Sequence, residues 1–268
     1  MTDEMADDRP QSRFFRARVS AITDLTPTFR RFTFGGDDLA DYGDTGFYQR
    51  IKIVFLTAHA SIDDMPLGED WWDEWRALDD TQRPTFRTYT TRAVRPGACE
   101  VDIDMVAHEV QGPASAWIEK ARIGDELLIF APTTAQRGVS YGIDFVPPAQ
   151  TGDILLAGDE TAAPAIAAIL EQLPATARGV VVLETPHPAD ADYLPVHPGF
   201  RYRVAARSGE AGRHAHLVAA VAEAAAELAP EGRGAEVEEI DIDHDMLWEV
   251  PRTAKGGAAL KSAALYAW

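Results

Sequence analysis

The residues best equipped for chemistry form one hexapeptide, Arg87-Thr88-Tyr89-Thr90-Thr91-Arg92. Read as a strand, it sets Arg87, Tyr89 and Thr91 on one face and Thr88, Thr90 and Arg92 on the other. It offers a cation for a pyrophosphate, an aromatic plane for a flat heterocycle, and a small hydroxyl for the heterocycle's edge. A flavin dinucleotide needs these three groups. Ordinary polar strands carry the same residues, so the hexapeptide alone leaves both readings open.

A second constellation is His108-Glu109-Val110-Gln111-Gly112-Pro113-Ala114-Ser115-Ala116-Trp117. Gly112 permits close backbone approach and Pro113 suits the first turn of a helix, whose free amides can hold a phosphate. Taken singly it also reads as a plain strand-to-helix turn with a structural histidine. A third is Gly158-Asp159-Glu160-Thr161, placed where a dinucleotide fold would carry a glycine-rich turn, but with Gly158 as its only glycine. Asp159 and Glu160 suit the positive end of a helix as caps and would repel a pyrophosphate there. Other combinations are poorer. Ser115 lies outside any Gly-x-Ser-x-Gly turn, His214 and His216 diverge on a helix, and Asp241 to Asp245 lack the glycine of a calcium loop. No metal site is expected.

The elements that must position these residues change character along the chain. Short alternating or β-branched runs at 14–22, 29–34, 51–55, 87–94, 101–107 and 126–131 predict a small antiparallel barrel. Residues 57–85, with Trp71, Trp72 and Trp75, read as a long loop holding one short helix, a length that is often functional, with packing of the tryptophans on the barrel as the competing reading. After the Pro147-Pro148 junction the pattern becomes strand, helix, strand, strand, helix: apolar runs at 154–157, 179–183 and 200–205, and helical faces of Ile166, Ile169, Leu170 and Leu173, then Leu217, Val218, Val221 and Leu228. That alternation predicts a parallel, Rossmann-type sheet. The expected division is a barrel over 12–148 and an α/β domain over 149–268.

Composition excludes several functions. Lys and Arg total 25 against 43 Asp and Glu, a formal charge of -18 that disfavours nucleic acid and anionic membranes. No apolar run is long enough to span a membrane and the N-terminus lacks a secretory pattern, which fits a cytoplasmic protein. A single cysteine, Cys99, rules out an intrachain disulfide.

The hexapeptide, then Asp104-Met105-Val106-Ala107-His108, Gly112-Pro113-Ala114-Ser115 and Gly158-Asp159-Glu160-Thr161-Ala162-Ala163-Pro164, occur in that order. The series resembles the siderophore-interacting protein family of FAD-dependent ferric-siderophore reductases, on a ferredoxin reductase-like fold. The resemblance implies bound FAD, electrons from NAD(P)H or reduced ferredoxin, and a ferric siderophore as acceptor. Carried over by position, Arg87 meets the pyrophosphate, Tyr89 the flavin ring or ribityl chain and Thr90 the N5 edge, with Tyr89 and Thr90 at the reacting end. Thr88, Arg92, Asp104, Val106, His108, Gly112, Pro113, Ala114, Ser115, Asp159 and Thr161 complete the cofactor's surroundings. Anionic siderophores need local cations, for which Lys52, opposite in parity to Ile51, Ile53 and Phe55, and Arg137 are the candidates, with solvated surface cations the competing reading. Family members continue past a Tyr-Ala-Trp strand, whereas this sequence stops at Trp268, so the far side of the substrate cleft is unassigned. Another flavin or ferredoxin reductase of the same superfamily, or a non-catalytic siderophore binder, remains open at this point.

Overall fold

The computed structural model describes residues 9–44, 46, 48–56, 60–107, 112–135, 145, 152–207, 215–228 and 265–267. They fall into two compact units. The first holds β1 (Ser12–Asp24), β2 (Phe29–Gly35), β3 (Gln49–Phe55), α1 (Trp71–Ala77), β4 (Thr85–Arg95), β5 (Glu100–Val106), α2 (Pro113–Lys120) and β6 (Glu126–Pro132). Its six strands close into an antiparallel barrel in the order β1-β2-β5-β4-β3-β6, as the alternating runs predict.

Alternation decides which side chains fill the barrel. Phe15, Ala17 and Val19, Phe32 and Phe34, Ile51, Ile53 and Phe55, Val101, Ile103 and Met105, and Leu127, Ile129 and Ala131 form one buried cluster. Helix α2 seats Trp117 on it, with ring centroids 5.1 Å from Phe32 and 5.8 Å from Phe55. Two of the long loop's three tryptophans, Trp71 and Trp75, pack on the barrel exterior, while Trp72 stands exposed against them. Trp71 lies 5.0 Å from Phe14 and 5.2 Å from Phe130, and Trp75 lies 4.9 Å from Phe86, over Val54 and Leu128. The seams differ in length: β6 pairs with β1 from Ser12 to Arg18, but with β3 only from Lys52 to Val54.

The second unit holds β7 (Ile154–Gly158), α3 (Ala163–Gln172), β8 (Gly179–Thr185), β9 (Phe200–Ala206), α4 (Ala215–Leu228) and β10 (Leu265–Ala267). The sheet order is β10-β7-β8-β9 with every neighbouring pair parallel. Strands β7 and β8 are buried along their whole length, which explains their unbroken apolar sequences. A Cβ on Gly179 would lie 2.0 Å from the Ile154 carbonyl oxygen, so only glycine fits there. Helix α4 packs Leu217, Ala220, Val221, Ala224, Ala225 and Leu228 on the sheet. Val218, expected on that face, is 61% exposed, because one step of about 100° carries it away from Leu217. Thr26 to Thr28 group with this unit, where the buried Asp190 carboxylate accepts from both threonine hydroxyls at 2.6 Å. Among the described residues, β9 is an outer strand, with Arg201 and Arg203 paired to Glu227 of α4. No helix among the described residues is long and apolar enough to cross a membrane.

Candidate functional site

Strand pairing sorts the hexapeptide onto two faces of β4. Tyr89 stands opposite Ile51 and Thr91 opposite Gln49. The Tyr89 ring packs on the barrel core 6.1 Å from Phe55, and Thr91 shares a 2.7 Å hydrogen bond with the Tyr42 hydroxyl. Burial holds the Tyr89 and Tyr42 phenols well above their ordinary range, so both stay protonated at neutral pH. Arg87 is exposed and donates to the neighbouring Phe86 carbonyl at 2.7 Å.

The other parity faces outward, since Ile51, Ile53 and Phe55 of the partner strand face in. Thr88 is opposite Lys52 and Thr90 opposite Arg50. Thr90 is only 8% exposed. Arg92 is the surplus residue of a β-bulge, because Thr91 pairs with Ile103 and Ala93 already with Asp102. A bulge bends its strand and re-aims the extra side chain. The Arg92 Nε accordingly comes 3.6 Å from Asp104 Oδ2.

Asp104 is a hub on this outer face. Its side chain is fully buried, and Arg31 of β2 grips it with Nε at 2.7 Å and Nη2 at 2.8 Å. The hydrogen bond that Arg31 donates to Asp104 holds its guanidinium above its usual value, against the opposing effect of burial. Two residues along β5, Asp102 accepts from Arg95 at 2.7 and 2.8 Å and from the Thr33 hydroxyl at 2.8 Å. Burial would raise the Asp102 carboxyl, but these hydrogen bonds outweigh it and hold it below its ordinary value. Arg31, Arg50, Arg92 and Arg95 thus share the outer face beside Thr90 with the carboxylates of Glu100, Asp102 and Asp104, which pair with three of the four arginines.

Val106 ends β5 opposite Phe29. Across a gap in the described residues, Gly112 caps α2 with Pro113 in the first turn. The Ser115 hydroxyl accepts from the Gly112 amide and donates to the Gly112 carbonyl, both at 3.1 Å. Ala114 and Trp117 pack on the barrel core, which fixes the helix start. A Cβ at Gly112 would meet nothing within 4 Å, so open space lies beside that turn. Phe55 is touched by both Tyr89 and Trp117, which ties the hexapeptide and the Gly-Pro-Ala-Ser turn to one wall of the barrel.

Lys52 faces outward, as its parity predicts, but it is 9% exposed rather than a solvated surface cation. It lies in a small recess with Ser12, Gln49, Arg50 and Phe130. In the second unit, Asp159 and Thr161 engage each other, the Thr161 amide and hydroxyl donating to Asp159 Oδ1 at 2.9 and 2.6 Å. The expected capping of α3 is corrected: its N-cap is Ala162, without a side-chain cap, and Glu160 instead joins Glu184 on Arg207. Hydrogen bonds to Glu160 and, after the cost of burial, to Glu184 hold the Arg207 guanidinium above its ordinary value. His108, Arg137, His214 and the Asp241 to Asp245 stretch lie outside the described residues.

The donor set suits FAD: arginines for a pyrophosphate, a tyrosine ring, a nearly buried threonine and a helix start with open space beside it. The closed barrel followed by a parallel sheet is a ferredoxin reductase-like fold with an FAD-binding barrel. Residues 18–136 match the siderophore-interacting FAD-binding domain and residues 151–268 the siderophore-interacting protein family. An uncharacterized protein of Mycobacterium tuberculosis is 32% identical over 212 residues, 76% of this chain and 71% of that protein. The siderophore-interacting protein SipS from Aeromonas hydrophila superposes with a TM-score of 0.61 at 31% identity, covering 80% of this chain and 75% of that one. The ferric vibriobactin reductase ViuB of Vibrio cholerae is 34% identical over 155 residues, 58% of this chain and about half, 52%, of ViuB. The chain belongs to the siderophore-interacting protein family.

Proposed function

We propose that the chain reduces ferric siderophores through bound FAD, taking electrons from NAD(P)H or reduced ferredoxin. The observation that carries this reading is the outer face of β3, β4 and β5, where Arg50 and Arg92 flank the nearly buried Thr90. When bound, FAD supplies the electron carrier. Arg87, Arg92 and the turn from Gly112 to Ser115 would hold its phosphates, Tyr89 would support the ring, and Thr90 would offer it a hydroxyl. Thr88 and Val106 line the same wall. Asp104 acts at one remove, by orienting Arg92. Lys52 supplies positive charge for an anionic ferric chelate. Hard oxygen donors hold Fe(III) more tightly than Fe(II), so one electron releases the metal. Such a reaction belongs in the cytoplasm, after the loaded siderophore has been imported. ViuB, named a ferric vibriobactin reductase, supports the reading.

The test is anaerobic. The flavin-loaded protein is reduced chemically, a ferric catecholate siderophore is added, and Fe(II) is trapped with a coloured chelator. The expected result is return of the oxidised flavin absorbance with one Fe(II) per electron. Siderophore binding without Fe(II) would instead establish a non-catalytic binder and overturn the proposal.

A further inference from the structure

Thr91 is the point at which β4 changes partner. Residues Thr85 to Thr91 pair with β3, ending at Thr91 opposite Gln49, and the pairing with β5 begins at Thr91 opposite Ile103. Among the described pairings it is the one residue of β4 that both neighbouring strands hold. The residues on either side of it carry the outer face. Thr90 pairs with Arg50 of β3, and Arg92, the surplus residue of the bulge, lies outside both registers. A bulge disrupts the ladder locally and bends its strand, so the aim of Thr90 and Arg92 depends on what fixes Thr91.

The anchor comes from across the barrel. The inward Thr91 hydroxyl shares its 2.7 Å hydrogen bond with the Tyr42 hydroxyl, and both residues are buried, which strengthens the bond. Tyr42 is itself held by other strands. It forms a bridge with Thr133 just beyond β6, its ring lies 5.1 Å from Phe15 of β1, and the amide of Gly43 donates to the Pro132 carbonyl at 2.9 Å. A Cβ on Gly43 would lie 2.5 Å from the Thr133 carbonyl oxygen, so this segment lies flush against the end of β6. Neither β1 nor β6 is a neighbour of β4 in the ring. The Tyr42–Thr91 bond therefore spans the barrel and ties the start of the bulge to strands with which β4 does not pair.

We infer that Tyr42 is a positioning residue for the flavin: through Thr91 it fixes the strand between Thr90 and Arg92, and so aims Arg92 at the cofactor's pyrophosphate. Tyr42 lies within the barrel and acts through Thr91 rather than by contact with the cofactor. The inference rests on the FAD site proposed above and adds to it a residue outside the hexapeptide and the Gly-Pro-Ala-Ser turn. A hydroxyl pair that only stabilised the barrel would lower the melting point and leave FAD binding alone, or weaken it by the same factor whatever stands at position 92.

The test is titration of FAD into the flavin-free full chain, read by quenching of flavin fluorescence, with urea midpoints measured alongside. Tyr42→Phe and Thr91→Val keep the shape and remove the bond. Each is expected to raise the FAD dissociation constant about fivefold, the scale of one net hydrogen bond. Thr91→Ser keeps the hydroxyl and should stay near the wild-type value. In an Arg92→Met background, Tyr42→Phe should add little further loss, because the side chain it positions is gone. Should Tyr42→Phe fail to fold, the same cycle run with Thr91→Val decides. Wild-type FAD affinity in the folded variants, equal losses in Thr91→Ser and Thr91→Val, or the same loss with and without Arg92 would overturn the inference. A wild type that takes up no FAD would refute the proposed function as well, whereas an FAD-binding wild type with unaffected variants sinks this inference alone.

Discussion

Arg31 grips both oxygens of Asp104, at 2.7 and 2.8 Å, on the outer face of the barrel and from the neighbouring strand. The pair leaves Arg92, 3.6 Å away, aimed along the face that carries Thr90. Arg31→Met should therefore act twice. Removing one partner of a buried ion pair costs about 3 kcal/mol, readable as a lower urea midpoint. Arg92 should also turn toward the vacated carboxylate, so FAD retention should fall even in variants that remain folded. A variant with wild-type flavin content and a wild-type urea midpoint would contradict both expectations.

Asp102 gives the barrel a specific weakness in acid. Its carboxyl is held below the ordinary value by Arg95 and Thr33 despite burial. A folded-state value below the unfolded one means the stabilisation is complete above the unfolded carboxyl's range. It disappears as pH falls through the folded value, below about pH 4. Asp102→Asn should flatten that part of the stability–pH curve and leave its slope near neutrality unchanged, as thermal melts across pH would show.

Arg87→Ala should weaken FAD retention more than Tyr89→Phe. Arg87 is exposed and spans no core contact, so its loss is a loss of charge-assisted bonding worth about 1.5–3 kcal/mol. Phenylalanine keeps the ring that packs near Phe55. Gel filtration followed by flavin quantitation separates the two, and equal retention would remove Arg87 from the pyrophosphate.

Lys52→Gln should raise the apparent KM for an anionic ferric siderophore roughly tenfold, the scale of one lost contact of ~1.4 kcal/mol, with FAD content unchanged. Because Lys52 is 9% exposed, its attraction is screened less than that of a surface lysine. The defect should therefore persist partly in high salt. Identical kinetics in the two proteins would point the search for the chelate's cations elsewhere.

The strands were legible because alternation such as Val101, Ile103 and Met105 against Asp102 and Asp104 states directly which side faces a core. The same parity marked Lys52 as outward. It could not show that Phe130 and Thr88 would flank it closely enough to bury it, since that depends on the register of β3 against β6 and β4. Arg31 and Asp104 were invisible as a pair for the same reason: 73 residues separate them, and only the β2–β5 register brings them together. The bulge at Arg92 has no glycine or proline to announce it. At Asp159 and Glu160, local chemistry suggested helix caps, but Thr161 and the distant Arg207 offered stronger partners.

Closure of the barrel leaves each of its six strands with a neighbour on both sides. An unpaired strand edge is a template for another chain, so the intact ring presents nothing for intermolecular β-pairing. The short seam from Lys52 to Val54 is where the ring is held by the fewest strand pairs. A breach there bares β3 and β6 together, and β6 carries the run Leu127-Leu128-Ile129-Phe130. Aggregation from this unit is therefore expected to start from local opening of this seam, ahead of global unfolding. On β9 the charges of Arg201 and Arg203 discourage strand addition without any ring to close.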